Sequence, residues 1–516
     1  VYQEGWSKAI IFDCFFIPLV DVLHLLYPCA CVFHNGSYDL HTINRHTKDV
    51  WVPAASQDTL YLSRLEWYGE QSFGFYDCLE YAGLNDAFIQ SIDKKENQKS
   101  DWSSALTDIQ LSYAASDVIY LAPLYNRVKH KNADPVYQLD IATQRYMIKV
   151  TRRGMPTNRD TVRAKQLEYM NRREIAIREL PVNPESSPQC SAYLGTKSSD
   201  ASTLVELIKN GGDYGNRAKL IQEARHCRKA LSYLKVYDRD LVHGFFNASA
   251  ALAGRMSCTG GDCHDAANLQ QVPSYLQPCF EAPDGKTFVY KDYSGLELRM
   301  GAAYVGDPTM CQQLKDGADL HQWVQNNLFS NTPEDLANLY RTIAKVFNFN
   351  LIFGGGAGTV SATIYEWAGK KISVKEVKAM MDEWFALFPW FMDWHNMHKQ
   401  FIRTHGYVDI VTALGRKVRT YSLPDSLNFP IQGSSVEVTK SAMQILAHRY
   451  PDEDLRTVIH DAGILVVDDA PHNVEMWGTR LSECMVDGWN YVISGLADPN
   501  VPMPHGYKTA KAWTFK

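Results

Sequence analysis

At 516 residues, with 45% apolar and 21% charged side chains, the chain has the balance of a folded protein and the length for three or four domains. Disorder, collagen and coiled coil are excluded as its main character. Basic residues number 52 against 58 acidic, a net of −6, which excludes an indiscriminately basic nucleic-acid coat but not one basic cleft on an acidic body.

Ala9 to Cys31 is the most apolar stretch, yet Asp13, Asp21, His24 and two prolines break it, well short of the roughly 20 apolar residues of a membrane span. It also lacks the Lys-rich start and small-residue cleavage site of a secretory signal. The chain begins at Val1 rather than methionine, so upstream residues are expected to be missing. Ala30-Cys31-Val32-Phe33 reads as a strand leading into His34-Asn35-Gly36-Ser37-Tyr38-Asp39, and helical periodicity dominates from Leu60. Residues 1–128 are therefore expected to form an α/β unit, closed by a polar joint from Lys129 to Pro135.

From Val136 to about Leu241 the pattern is helical and charge-rich, interrupted at Pro181–Pro188 and at Gly211-Gly212. Eleven cysteines without framework spacing fit a reducing interior. Only Cys258-x4-Cys263-His264 hints at metal ligation, and without a second pair it is not read as a zinc site. Thr287 to Tyr290 signals a strand, His321 to about Thr404 a long aromatic-rich helical region, and Thr457 to Asp469 two short strands around a polar turn. No internal repeat or low-complexity segment is present.

Three constellations carry chemistry. In Phe288-Val-Tyr-Lys-Asp292-Tyr293-Ser-Gly-Leu-Glu297-Leu-Arg299 a strand delivers Asp292 at its end and a helix follows. In Thr457-Val-Ile-His460-Asp461-Ala462-Gly-Ile-Leu-Val-Val467 apolar strands flank a turn with Asp461 at the tip. Two strand-end carboxylates from distant positions can share a pair of Mg²⁺ ions, roughly 3.5–4 Å apart, for in-line phosphoryl displacement; either aspartate alone is more simply a turn or cap residue. The third is Arg341-Thr-Ile-Ala-Lys345-Val-Phe-Asn348-Phe349-Asn-Leu-Ile-Phe353-Gly-Gly-Gly, a helix ended by glycines. Arg341, Lys345, Phe349 and Phe353 recur every four residues on one face, cations for phosphates and rings for a base and sugar. A half-buried amphipathic helix with a solvated basic end has the same spacing.

Together the three segments resemble the polymerase motifs of the bacterial DNA polymerase I family, family A. Supporting segments follow in order: Gly254-Arg255-Met-Ser257, Asn268-Leu-Gln270, Asp319-Leu-His321 and Asn428-Phe-Pro-Ile-Gln432-Gly433. The resemblance implies that Asp292 and Asp461, with the Tyr293 backbone carbonyl, bind two Mg²⁺ ions (Mn²⁺ substituting), and that these aspartates and Lys345 form the catalytic set. It implies that Arg341, Lys345 and His321 hold a dNTP triphosphate, that Phe349 and Phe353 form the nucleotide pocket, and that Glu297 crowds a ribose 2′-hydroxyl. DNA contacts are implied for Arg255, Gln432, Asn428, Asn268, Gln270 and His460. Donors such as Arg255 and Gln432 suit the minor groove, where every base pair offers acceptors at similar positions. The family usually carries a glutamate after the second aspartate, where this chain has Ala462. Gly260 to Ala266 reads as an insertion.

The N-terminal unit resembles the family's 3′–5′ exonuclease domain. Asn35-Gly-Ser-Tyr-Asp39 and Tyr113-Ala-Ala-Ser-Asp117 match its second and third motifs, with Gln98-Lys-Ser-Asp101-Trp102 before the latter. Asp39 and Asp117 are implied metal ligands, Tyr113 an orienter of the attacking water. The first motif, Asp-x-Glu, has no counterpart among the 34 residues before Asn35, which implies either a chain that starts downstream of that strand or a domain without catalysis.

The expected architecture is α/β multidomain: an RNase H-like exonuclease domain (1–128), then a right hand with thumb 136–250, palm 251–320 and 405–516, and fingers 321–404. The expected activity is template-directed DNA synthesis in replication or repair, on primer–template DNA and dNTPs, by a monomer with no membrane association. Accessory proteins are unspecified. The expected place is the cytoplasm of a bacterium or phage-infected cell, with an organelle as the alternative. Rival readings are a single-subunit RNA polymerase, opposed by Glu297, and a DNA-binding scaffold without catalysis, opposed by Asp292, Asp461 and Lys345.

Overall fold

The computed structural model describes all residues except 7, 15, 54, 91–95, 97, 98, 261–265, 330–332 and 516, and the side chains of all but 88 and 90 among these. Gln98, Cys263, His264 and most of the insertion-like stretch thus lie outside the described residues. Helices dominate, with short sheets between them.

In the N-terminal unit, Ala30–Phe33 pairs in parallel with Ala55–Asp58. Asp58 ends its strand and caps the Thr59–Glu66 helix, accepting from Leu60 N at 3.0 Å. Its carboxylate also takes the backbone N–H groups of Asn35 and Gly36 at 3.0 and 2.8 Å. That bond holds Asn35 in a left-handed turn (φ +64°), from which the Gly36–Arg45 helix starts.

Where a joint is expected near residue 130, a short 3-10 turn leads directly into the Pro135–Arg153 helix, opened by Asp134 and the proline and stopped by Gly154 at φ +66°. Tyr137 and Ile141 of this helix pack into the N-terminal core, while Tyr146, Met147 and Val150 pack into the main core. One helix therefore belongs to both hydrophobic cores. Next, Arg159–Arg178 and Gly212–Tyr237 run alongside each other, with a small separate core of Cys190, Leu194, Leu204, Ala218 and Ile221 at one end.

The central sheet has four antiparallel strands in the order Leu455–Ile459, Ala462–Asp468, Lys286–Asp292, Lys508–Ala510. The Ala462–Asp468 and Lys286–Asp292 strands are almost wholly buried along their middles, as continuous apolar runs require. The Leu423–Arg449 and Pro471–Ile493 helices pack tightly on each other. A Cβ at Gly488 would lie 2.7 Å from Ala442 N, so only glycine allows that approach. Among the described residues, five α-helices and a short 3-10 turn from Leu320 to His405 make the remaining block, in the helical region expected from His321. Among the described residues, no helix is long and apolar enough to cross a membrane.

Candidate active site

Strand register creates the centre of the site. Ala462 pairs with Asp292, so Asp461, one residue earlier in the turn, lies beside the Asp292 carboxyl. The turn is tight, with His460 at φ +54°. The two carboxyls are close enough to share a proton. Burial raises both above the usual carboxylate range, and repulsion from Asp292 adds to it at Asp461. Lys508 and Lys291 partly offset this at Asp292. Two carboxylates held in mutual repulsion at an accessible strand end are a donor set suited to divalent cations. Among the described residues no cluster of three or more His, Cys, Asp or Glu forms a closed cage.

Gly295, at φ +65°, starts the Leu296–Val305 helix, and Glu297 sits in its first turn. Glu297 accepts from Arg255 at 2.9 Å, and it is near enough to Asp461 and His460 to interact with their charges. Burial raises its carboxyl above the usual range despite the guanidinium.

On the Ala337–Ile352 helix Arg341, Lys345 and Phe349 follow one another a turn apart. Lys345 Nζ lies 5.8 Å from the Phe349 ring centroid and 5.9 Å from that of Trp367. Arg341 is held by Asp319, which also caps the Leu320–Leu328 helix by accepting from His321 N. The His321 and Phe349 ring centroids are 5.7 Å apart. His321, Arg341, Lys345 and Phe349 thus converge. Burial, with Arg341 and Lys345 nearby, pushes the His321 imidazole down to about 4, so it is neutral near pH 7. Phe353, at the helix C-cap, packs on the main core.

Gln432 and Asn428 lie on the Leu423–Arg449 helix, partly buried. A Cβ at Gly433 would meet Ala253 O at 3.0 Å, so the glycine lets this helix abut the loop that carries Arg255. Asn268 caps the short turn containing Gln270, accepting from Gln270 N at 3.0 Å. Cys258 is buried and accepts from Leu269 N, which accounts for it structurally.

In the N-terminal unit, burial, with the charges of Asp58 and Asp117 nearby, pushes Asp39 up to about 6. Tyr113 is buried on the same helix as Asp117 and packs against Trp102. The two motifs expected there are therefore brought together. Asp58, Trp367 and Lys508 are site neighbours that sequence reasoning did not single out.

The family model described as "DNA polymerase family A" matches residues 180–514, and the one described as "3'-5' exonuclease" matches 27–132. "DNA polymerase I" of Aquifex aeolicus (strain VF5) is 28% identical over 500 residues, covering 88% of this chain and 84% of that protein. The "DNA polymerase" of Mycobacterium phage D29 is 32% identical over 321 residues, 60% of this chain and about half (49%) of the phage protein. The solved "POL domain of Pol1 from M. smegmatis complex with DNA primer-template and dNTP" shares the fold, with a TM-score of 0.73 at 19% identity over 96% of this chain and 88% of that one.

Proposed function

The chain belongs to DNA polymerase family A, and from that premise we propose that the Asp292–Asp461 centre is where it adds dNTPs to a primer 3′ end. It is a template-directed DNA polymerase with a 3′–5′ exonuclease domain. The observation that carries the site assignment is the strand register that sets Asp461 beside Asp292.

Family A polymerases use divalent metal. In this reading Asp292, Asp461 and the Tyr293 carbonyl hold two Mg²⁺ ions. When bound, such ions lower the pKa of the primer hydroxyl and neutralise charge on the departing pyrophosphate. The primer 3′-oxygen bonds to the α-phosphorus as the bond to pyrophosphate breaks. Arg341 and Lys345 neutralise the triphosphate, with Lys345 placed for the charge that develops on the leaving group. His321 donates to a phosphate oxygen, Phe349 and Phe353 flank base and sugar, and Glu297 fills the space a 2′-hydroxyl would need. Arg255 and Gln432 reach minor-groove acceptors at the primer end, and Asn428, Asn268, Gln270 and His460 line the DNA path.

The domain boundaries of this reading are exonuclease 1–128, thumb 136–250, palm 251–320 with 405–516, and fingers 321–404. The substrate is primer–template DNA with dNTPs and the working unit a monomer, in a bacterial or phage-infected cytoplasm. Asp39, Asp117, Tyr113 and Asn35 form the exonuclease site.

A primer-extension assay with Mg²⁺ and each nucleotide set tests the reading. Extension with four dNTPs, and none with four rNTPs, is expected. Equal use of rNTPs would overturn it in favour of RNA synthesis.

A further inference from the structure

The loop from Ser249 to Arg255 is fastened by two buried cations and one partly buried one, none of which belongs to the candidate active site. It closes on itself through Ala250 N to Arg255 O at 2.9 Å and Gly254 N to Ala251 O at 2.9 Å. From one side Arg64, on the Thr59–Glu66 helix, donates to the carbonyls of Ser249 and Ala250. From the other, Lys440 donates to Gly254 O at 2.8 Å. Arg416 lies flat on Gly254, where a Cβ would come within 2.8 Å of the guanidinium; the glycine is also at φ +81°.

These cations are themselves anchored. Asp140 takes Lys440 Nζ at 2.6 Å and Arg416 at 2.9 Å, and the side chains of Asp140, Arg416 and Lys440 are at most 3% exposed. Glu437 balances the charge, accepting from Leu414 N at 3.0 Å at the tip of the hairpin that carries Arg416. A buried ion knot of this kind costs desolvation that a well-packed apolar cluster would not. What an apolar cluster cannot do is satisfy the Gly254 carbonyl and fix that loop in one register. Immediately after Gly254, Arg255 leaves the knot for solvent and meets Glu297 at 2.9 Å.

We propose that Lys440, Arg416 and Arg64 are positioning residues for Arg255, so that discrimination against a mispaired primer end depends on them. The proposal rests on the reading of Arg255 as a minor-groove reader. A correctly paired end offers its acceptor where Arg255 is held; a mispaired end moves it away and gains nothing from the anchoring. Loosening the loop therefore slows extension of matched ends more than of mismatched ends.

The test measures kcat/KM for matched and mismatched primer ends in wild type, Lys440→Met, Arg255→Ala and the double variant. Loss of a charge-assisted hydrogen bond predicts that the matched-to-mismatched ratio falls about tenfold in Lys440→Met. In the Arg255→Ala background Lys440→Met should change that ratio less than about twofold. A Lys440→Met ratio equal to wild type, or the same change in both backgrounds, overturns the proposal. If Arg255→Ala alone leaves the ratio unchanged, the reading of Arg255 fails instead. Arg64→Met, at the partly buried edge of the knot, carries the same comparison if Lys440→Met does not fold.

Discussion

The Trp384 indole donates to Asn348 Oδ1 at 2.8 Å, and that one bond decides which proton His321 carries. An indole N–H only donates, so the Asn348 oxygen must face it and the amide nitrogen must face His321 Nδ1, 3.0 Å away. Neutral His321 then accepts at Nδ1 and keeps its proton on Nε2, where the proposed mechanism needs a donor to phosphate. Asn348→Leu should raise the dNTP KM several-fold, by roughly the worth of one hydrogen bond to a charged group, with kcat less affected. Steady-state kinetics in wild-type and His321→Ala backgrounds check this. A KM effect that persists without His321 would assign Asn348 a packing role only.

Sugar choice is a second readout. Glu297, anchored by Arg255, occupies the first turn of its helix, close enough to Asp461 to feel its charge. A ribose 2′-hydroxyl there would lose water without gaining a partner, at roughly 1–3 kcal/mol. Glu297→Ala should raise the rNTP-to-dNTP incorporation ratio about tenfold or more, since each 1.4 kcal/mol is a factor of ten. Single-nucleotide insertion kinetics decide it. An unchanged ratio would leave Glu297 as a first-turn acid favoured by the helix dipole.

The centre of this site is legible in the sequence because it is built from local patterns. Apolar runs ending in Asp292 and flanking Asp461 announce strands and a turn, and the four-residue recurrence from Arg341 to Phe353 announces a shared helix face. What sequence reasoning misses depends on contacts between distant segments. Asp140 meets Arg416 and Lys440, 276 and 300 residues further along. Each reads in sequence as an ordinary solvated charge, yet all three are buried. Asp319 stands in the sequence only as part of a supporting segment, and the fold adds Arg341 to it. Trp367 carries no signal in the sequence, yet its ring centroid lies 5.9 Å from Lys345 Nζ.

Acid stability follows from buried imidazoles. Burial pushes His395 and His398 down to about 4, against 6.5 for a free side chain. Between those values the unfolded chain binds more protons, so stability rises with pH and is lost as pH falls from 6.5 through 4. A shift of that size corresponds to at most about 3 kcal/mol per group. His398 Nδ1 is buried with no hydrogen-bond partner among the described residues, and the ring packs against Trp394. His398→Phe should therefore keep neutral-pH stability and lose less of it between pH 6.5 and 4.5. Denaturant unfolding at a series of pH values measures this; a slope identical to wild type would mean that His398 is already protonated or accessible in the fold.

In the proposed mechanism Asp292 and Asp461 serve chemistry rather than DNA binding. The direct measurement pairs single-turnover primer extension with primer–template affinity for Asp292→Asn and Asp461→Asn. DNA is held mainly through phosphate contacts elsewhere, whereas the carboxylates matter in the transition state. Each variant should bind DNA within a few-fold of wild type and lose extension by several orders of magnitude. Near-normal extension by either variant, with Mg²⁺ and all four dNTPs present, would contradict the assignment.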